Sequence, residues 1–73
     1  MTTYERVQLN TANRVLDWNG PFASMQEARE EAYDLAADYR AIGRIITSID
    51  PFSFYVLDPE GREPIKVTIR PIA

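Results

Sequence analysis

Eleven carboxylates are the side chains of this sequence most able to do acid–base work, and they have no partner for it. Histidine is absent, which removes the commonest general base and the commonest metal ligand together. Cysteine is absent too, so there is neither thiolate chemistry nor a disulfide. Ser24, Ser48 and Ser53 therefore have no imidazole to activate them. Gly20, Gly43 and Gly61 stand far apart, so no glycine-rich loop can cradle a phosphate. Asp50, Asp58 and Glu60 lack the spacing of a calcium loop, and paired-carboxylate hydrolysis needs a cleft that so short a chain does not promise. The expectation is a protein that is not an enzyme, with no catalytic residue, no metal and no cofactor.

What the carboxylates do instead is concentrate. Between Glu27 and Asp38 lie five acids, Glu27, Glu30, Glu31, Asp34 and Asp38, against one base, Arg29, a net of -4; six acids against seven bases elsewhere leave +1. At about 3.6 residues per turn, Glu27, Glu31, Asp34 and Asp38 fall in one narrow stripe flanked by Glu30. No base stands three or four positions from any of them. Like charges at that spacing cost a helix a few tenths of a kcal/mol per pair. The helix dipole favours acids in the first turn but does not reach Asp34 or Asp38. Three accounts fit the stripe: a solvated face, docking on the basic surface of a partner, or neutralisation by Arg6, Arg14 or Arg44 from neighbouring strands.

The element that carries these acids is the most legible in the chain. Ser24-Met25-Gln26-Glu27 has the form of a capping box, and Gly43 is a natural stop. Between them Met25, Ala28, Ala32, Leu35, Tyr39 and Ile42 recur at steps of three and four, widened by Ala36, so an amphipathic helix buries one face. Gly20 and Pro21 are expected to separate it from what precedes. Tyr4 to Leu9 and Asn13 to Trp18 read as a hairpin about the turn Asn10-Thr11-Ala12-Asn13. Arg44 to Ile49 is rich in β-branched residues and ends at Asp50-Pro51, so residues 44–57 form either one bent strand or two. Asp58-Pro59-Glu60-Gly61 is a turn joining Phe52–Leu57 to Arg62–Arg70. A symmetric turn there sets Phe54 against Ile65 and Phe52 against Val67, with Lys66, Thr68 and Arg70 on the other face. The fold expected is α+β: an antiparallel sheet of four or five strands covered on one face by a single helix, ββαββ or ββαβββ.

Two further surfaces follow from this arrangement. Arg29, Tyr33 and Arg40 share the helix flank opposite the acids, and Arg and Tyr are common interface anchors. Tyr55 and Leu57 point away from Phe54 and Val56 onto the uncovered sheet face, joined by Val15 or by Leu16 with Trp18. An apolar open face invites a partner or a homodimer unless the N-terminal residues or the tail Pro71-Ile72-Ala73 cover it.

Length and composition bound the rest. Seventy-three residues make one domain, 1–73, with a small core. A 45% hydrophobic fraction and a net charge of -3 belong to a folding chain. With no basic-then-apolar leader, no span of about 18 apolar residues and no cysteine, the expected location is the cytoplasm, away from membranes. A sequence pI near 4.7 disfavours direct binding to nucleic acid.

The segment Phe22-Ala23-Ser24-Met25-Gln26-Glu27-Ala28, running into Ala32 and Ala36, followed by Phe54-Tyr55-Val56-Leu57-Asp58-Pro59-Glu60-Gly61-Arg62, resembles small ββαββ proteins of bacteria and phages, anti-CRISPR proteins among them. The resemblance implies a class of action: stoichiometric inhibition of a nucleic-acid-handling complex by occupying its surface, in the host cytoplasm if phage-encoded. It carries no shared active-site residue. The expected function is accordingly a binding module whose acidic helix occludes a basic surface on a protein or complex, the alternative being a module that self-associates through the open sheet face.

Overall fold

In the computed structural model, which describes residues 2–72, the helix α1 (Met25–Ala41) is bounded as its sequence requires. The Ser24 hydroxyl accepts from the Glu27 N–H at 3.2 Å, while the Glu27 carboxylate reaches one residue further back, to the Ala23 N–H at 3.1 Å. At the other end Gly43 (φ +89°) donates to the Arg40 carbonyl and Arg44 to that of Tyr39, the paired bonds of a Schellman stop.

Around the helix, β1 (Thr3–Leu9), β2 (Val15–Phe22), β3 (Ile45–Asp50), β4 (Ser53–Leu57) and β5 (Ile65–Ile72) form one antiparallel sheet in the order β2-β1-β5-β4-β3. The two terminal strands meet at its centre. The helix leaves the edge strand β2 and returns at the opposite edge, β3, so it crosses one whole face. The fold is α+β, ββαβββ, with one helix on a five-stranded antiparallel sheet. Among the described residues no helix is long and apolar enough to cross a membrane.

The core lies where the helix meets the sheet. Ala28, Ala32 and Ala36 are buried against Phe54, Val56, Val67 and Ile69, with Met25, Leu35 and Tyr39 at the margin. Three alanines on one face bring the helix backbone close to the sheet, so the aromatic and branched volume comes from the strands. Ile42, expected in the buried stripe, is instead the C-cap and 65% exposed: the helix ends before its side chain can reach the sheet.

The pairing decides one alternative and corrects three expectations. Residues 44–57 are two strands, because Pro51 and Phe52 form a tight turn between β3 and β4. Phe54 faces Val67, not Ile65, and Val56 faces Ile65. Pro64 has no N–H to give a ladder, so pairing starts only at Ile65 and the connection is longer than a four-residue turn. The offset is two residues, which preserves the face of every side chain. Phe52, expected to pair with Val67, lies in the β3–β4 turn, its carbonyl accepting from the Ile69 N–H. Gly20 and Pro21 lie inside β2 and do not precede an isolated helix; a proline is tolerated there because β2 is an edge.

The connections are pinned by side chains. The Asn10 carboxamide accepts from the Ala12 and Arg14 N–H groups, both at 2.9 Å, and Asn13 takes the left-handed conformation at φ 60°. The buried Asp58 carboxylate lies 3.7 Å from Arg44 and 3.4 Å from Arg62, so Arg44 serves this turn and not the helix acids. Glu63 ties the two hairpin ends together, accepting from the Thr11 hydroxyl and from the Thr11 N–H at 3.0 Å. The Thr11 hydroxyl and then its N–H hold the Glu63 carboxyl below its ordinary pKa of 4.5. A depressed carboxylate stabilises the fold above its unfolded pKa and loses that contribution as pH falls through the folded value. Glu63→Gln should therefore reduce the acid sensitivity of the melting temperature below about pH 4.5. An unchanged pH profile would show that this tie does not contribute.

Candidate binding surfaces

The acidic flank of the helix meets the sheet through Glu31. Glu31 lies 3.6 Å from the guanidinium of Arg6, which is only 4% exposed, and Asp17 of β2 lies 3.8 Å from the same group. Gln8 continues this polar contact, donating to Asp17 at 3.1 Å and accepting from the Tyr39 hydroxyl at 2.5 Å. Neutralisation from a neighbouring strand is thus met for Glu31 by Arg6; Arg14 and Arg44 make no ion pair with the helix acids among the described residues. Two of the guanidinium nitrogens, Nε and Nη1, are buried without a hydrogen-bond partner among the described residues, so charge more than hydrogen bonding holds Arg6 in place.

The remaining acids face solvent. Glu27 is engaged at the cap and Glu30 accepts from Gln26 at 3.3 Å. Asp34 and Asp38 are exposed, and none of these four has a cation within 4.0 Å among the described residues. With Glu31 and Asp17, six carboxylates stand against the single charge of Arg6, a local net of -5. Asp17 was not legible as part of this surface, since only the pairing of Gln8 with Asp17 brings β2 beside the helix acids.

On the opposite flank, Arg29 donates to the Tyr33 hydroxyl at 2.6 Å and lies 5.6 Å from the Tyr33 ring and 5.7 Å from that of Phe52. A cation within about 6 Å of two ring centroids gains from both, most where it is partly desolvated. The three line a hollow of about 300 Å³ beside the β3–β4 turn. Phe52 was missed at the sequence level because nothing local sets that turn against the helix. Arg40 is exposed and shares no hydrogen bond or ion pair with Arg29 or Tyr33 among the described residues.

The third surface is the uncovered sheet face. Since Phe54, Val56, Val67 and Ile69 face the helix, their neighbours along each strand face away. Cross-strand pairs then put Trp18, Val7 and Thr68 in one row across the strands, and Val15, Leu9, Lys66, Tyr55 and Thr47 in another. An extra residue in β2 opposite Gln8 and Leu9 shifts its phase, so Val15 and Trp18, three apart, share a face that strict alternation would have denied one of them. Trp18 (54%), Val15 (48%), Ile45 (51%) and Tyr55 (41%) stay exposed there, whereas Val7, between Trp18 and Thr68, is wholly buried. Leu57 and Tyr55 border a hollow of about 400 Å³ with Pro64, Lys66 and Asn10. Pro71 and Ile72 continue β5 and do not fold across this face; Met1 and Ala73 lie outside the described residues. No family model, curated protein or solved structure matches this chain.

Proposed function

We propose that this chain is a non-enzymatic binding module whose acidic helix flank occludes a basic, nucleic-acid-binding surface on a larger protein or complex, the mode of action of phage-encoded inhibitors of the anti-CRISPR kind. The observation that carries the reading is the set of exposed acids without cationic partners, extended onto the sheet by Asp17 and set apart from the apolar open face. A merely solvated face needs no such segregation. An anionic ridge speeds encounter with a basic groove and competes with phosphates for it.

The test leaves Glu31 intact, because removing it would deprive Arg6 of a partner and confuse binding with folding. Wild type and a Glu30→Lys, Asp34→Lys, Asp38→Lys variant are immobilised, incubated with lysate of the source host, and eluted by salt and by heparin. The expected result is a basic partner released by both eluents and retained at least about tenfold less by the variant. Equal retention of that partner by both proteins would sink the proposal.

A second reading, self-association through the sheet face, is favoured by the exposed Trp18, Val15, Ile45 and Tyr55. It entails association that salt does not weaken.

A further inference from the structure

The two edges of the sheet are not equivalent. β2 is blunted as natural edges are, by Pro21, which lacks an N–H, and by two irregularities in its pairing with β1. β3 has neither proline nor lysine, is β-branched at Ile45, Ile46, Thr47 and Ile49, and carries its one charge at its end, on Asp50. Its irregularity falls only between Ser48 and Asp50.

The direction of its main-chain groups follows from one bond. The Phe52 carbonyl accepts from the Ile69 N–H at 3.0 Å, so it faces β5. By alternation the groups of Phe54 and Val56 face β5 as well, and those of Tyr55 and Leu57 face β3. Their partners Thr47 and Ile45 point at β4, which leaves the N–H and C=O of Ile46 and Ser48 along the free edge.

We infer that β3 pairs with β3 of a second copy of this chain, antiparallel about a two-fold axis through Thr47, to make one continuous ten-stranded sheet. In this register Ile46 and Ser48 of the second copy exchange the free hydrogen bonds. Thr47 faces itself, and Ile45 faces Ile49 of the second copy. Ile45 and Ile49 are 51% and 44% exposed. Ile42, otherwise a bare C-cap, lies at the same end of the pair as the exposed Phe52 of the second copy. Moving the axis to Ile46 sets Ile49 against Gly43; moving it to Ser48 sets Ile45 against Pro51. Of these three, only the axis at Thr47 sets the exposed isoleucines of the two copies against each other. None of the acids of the helix flank, nor Asp17, takes part in this pairing.

The chain has no cysteine, so the register can be read by cross-linking. Thr47 would be a non-hydrogen-bonded pair with Cα atoms about 4.5 Å apart, within the span of a disulfide. Thr47→Cys is expected to oxidise to a covalent dimer with the circular dichroism of the wild type, while Tyr55→Cys and Trp18→Cys on the open face remain monomeric. Thr47→Lys, which sets two ammonium groups across the axis at an exposed position, should weaken the wild-type dimer at least about tenfold by sedimentation equilibrium. A wild type that stays monomeric up to about 1 mM, or cross-linking at Tyr55 and Trp18 but not at Thr47, would overturn the inference.

Discussion

Replacing Phe54 with alanine is expected to lower the unfolding free energy by about 3–5 kcal/mol. A domain holds about 0.05–0.15 kcal/mol per residue, hence roughly 4–11 kcal/mol for this chain, so the substitution removes much or all of it. The side chain is the largest in the buried cluster, set between the helix alanines and Val67, and neighbours that are themselves alanines cannot extend to fill the space it leaves. Tyr55→Ala, one residue on, should cost under about 1 kcal/mol, because that ring lies on the uncovered face and is 41% exposed. Urea denaturation followed by circular dichroism measures both. Similar losses at the two positions would mean that the helix does not cover the Phe54 face.

The second large effect belongs to Gly20. Its φ of +143° lies where side chains are strained, and a Cβ there would sit 3.0 Å from the Tyr4 carbonyl oxygen and 3.4 Å from the Glu5 Cα. Both are backbone atoms of the paired strand β1 and cannot swing aside. Strain and overlap together make Gly20→Ala cost about 2–4 kcal/mol. Gly43→Ala is the control: φ is +89°, but nothing lies within 4 Å, so only the left-handed penalty of about 1–2 kcal/mol applies. Denaturation midpoints should fall in the order wild type, Gly43→Ala, Gly20→Ala. A reversed order would place the close approach of β1 and β2 elsewhere.

Gly20 also shows where a sequence misleads. Glycine beside proline reads as a break, and in a central strand it would be one. Here the pair sits on an edge, where a missing N–H costs no ladder bond, but edge status depends on the strand order, which no local pattern encodes. The candidate surfaces divide the same way. Glu27, Glu30, Glu31, Asp34 and Asp38 were legible because a helix maps sequence onto space by one fixed rotation. That Arg6 would take Glu31 and Asp17, while Arg44 took Asp58, rests on contacts between residues far apart in the chain.

The sequence alone determined the helix, its cap and stop, its alanine face and its acidic stripe, the presence of hairpins at both ends and the lack of histidine and cysteine chemistry. These are properties of composition or of neighbours within about five residues, where backbone geometry leaves few alternatives. Tertiary structure alone decided that β1 and β5 meet at the centre, that β2 and β3 are the edges, that Phe54 finds Val67, and that Val15 joins Trp18 on the open face. Each of these turns on a shift of one or two residues in strand register or on the choice of neighbour. Such shifts alter no local propensity, and only the simultaneous burial of one sheet face beneath the helix selects among them.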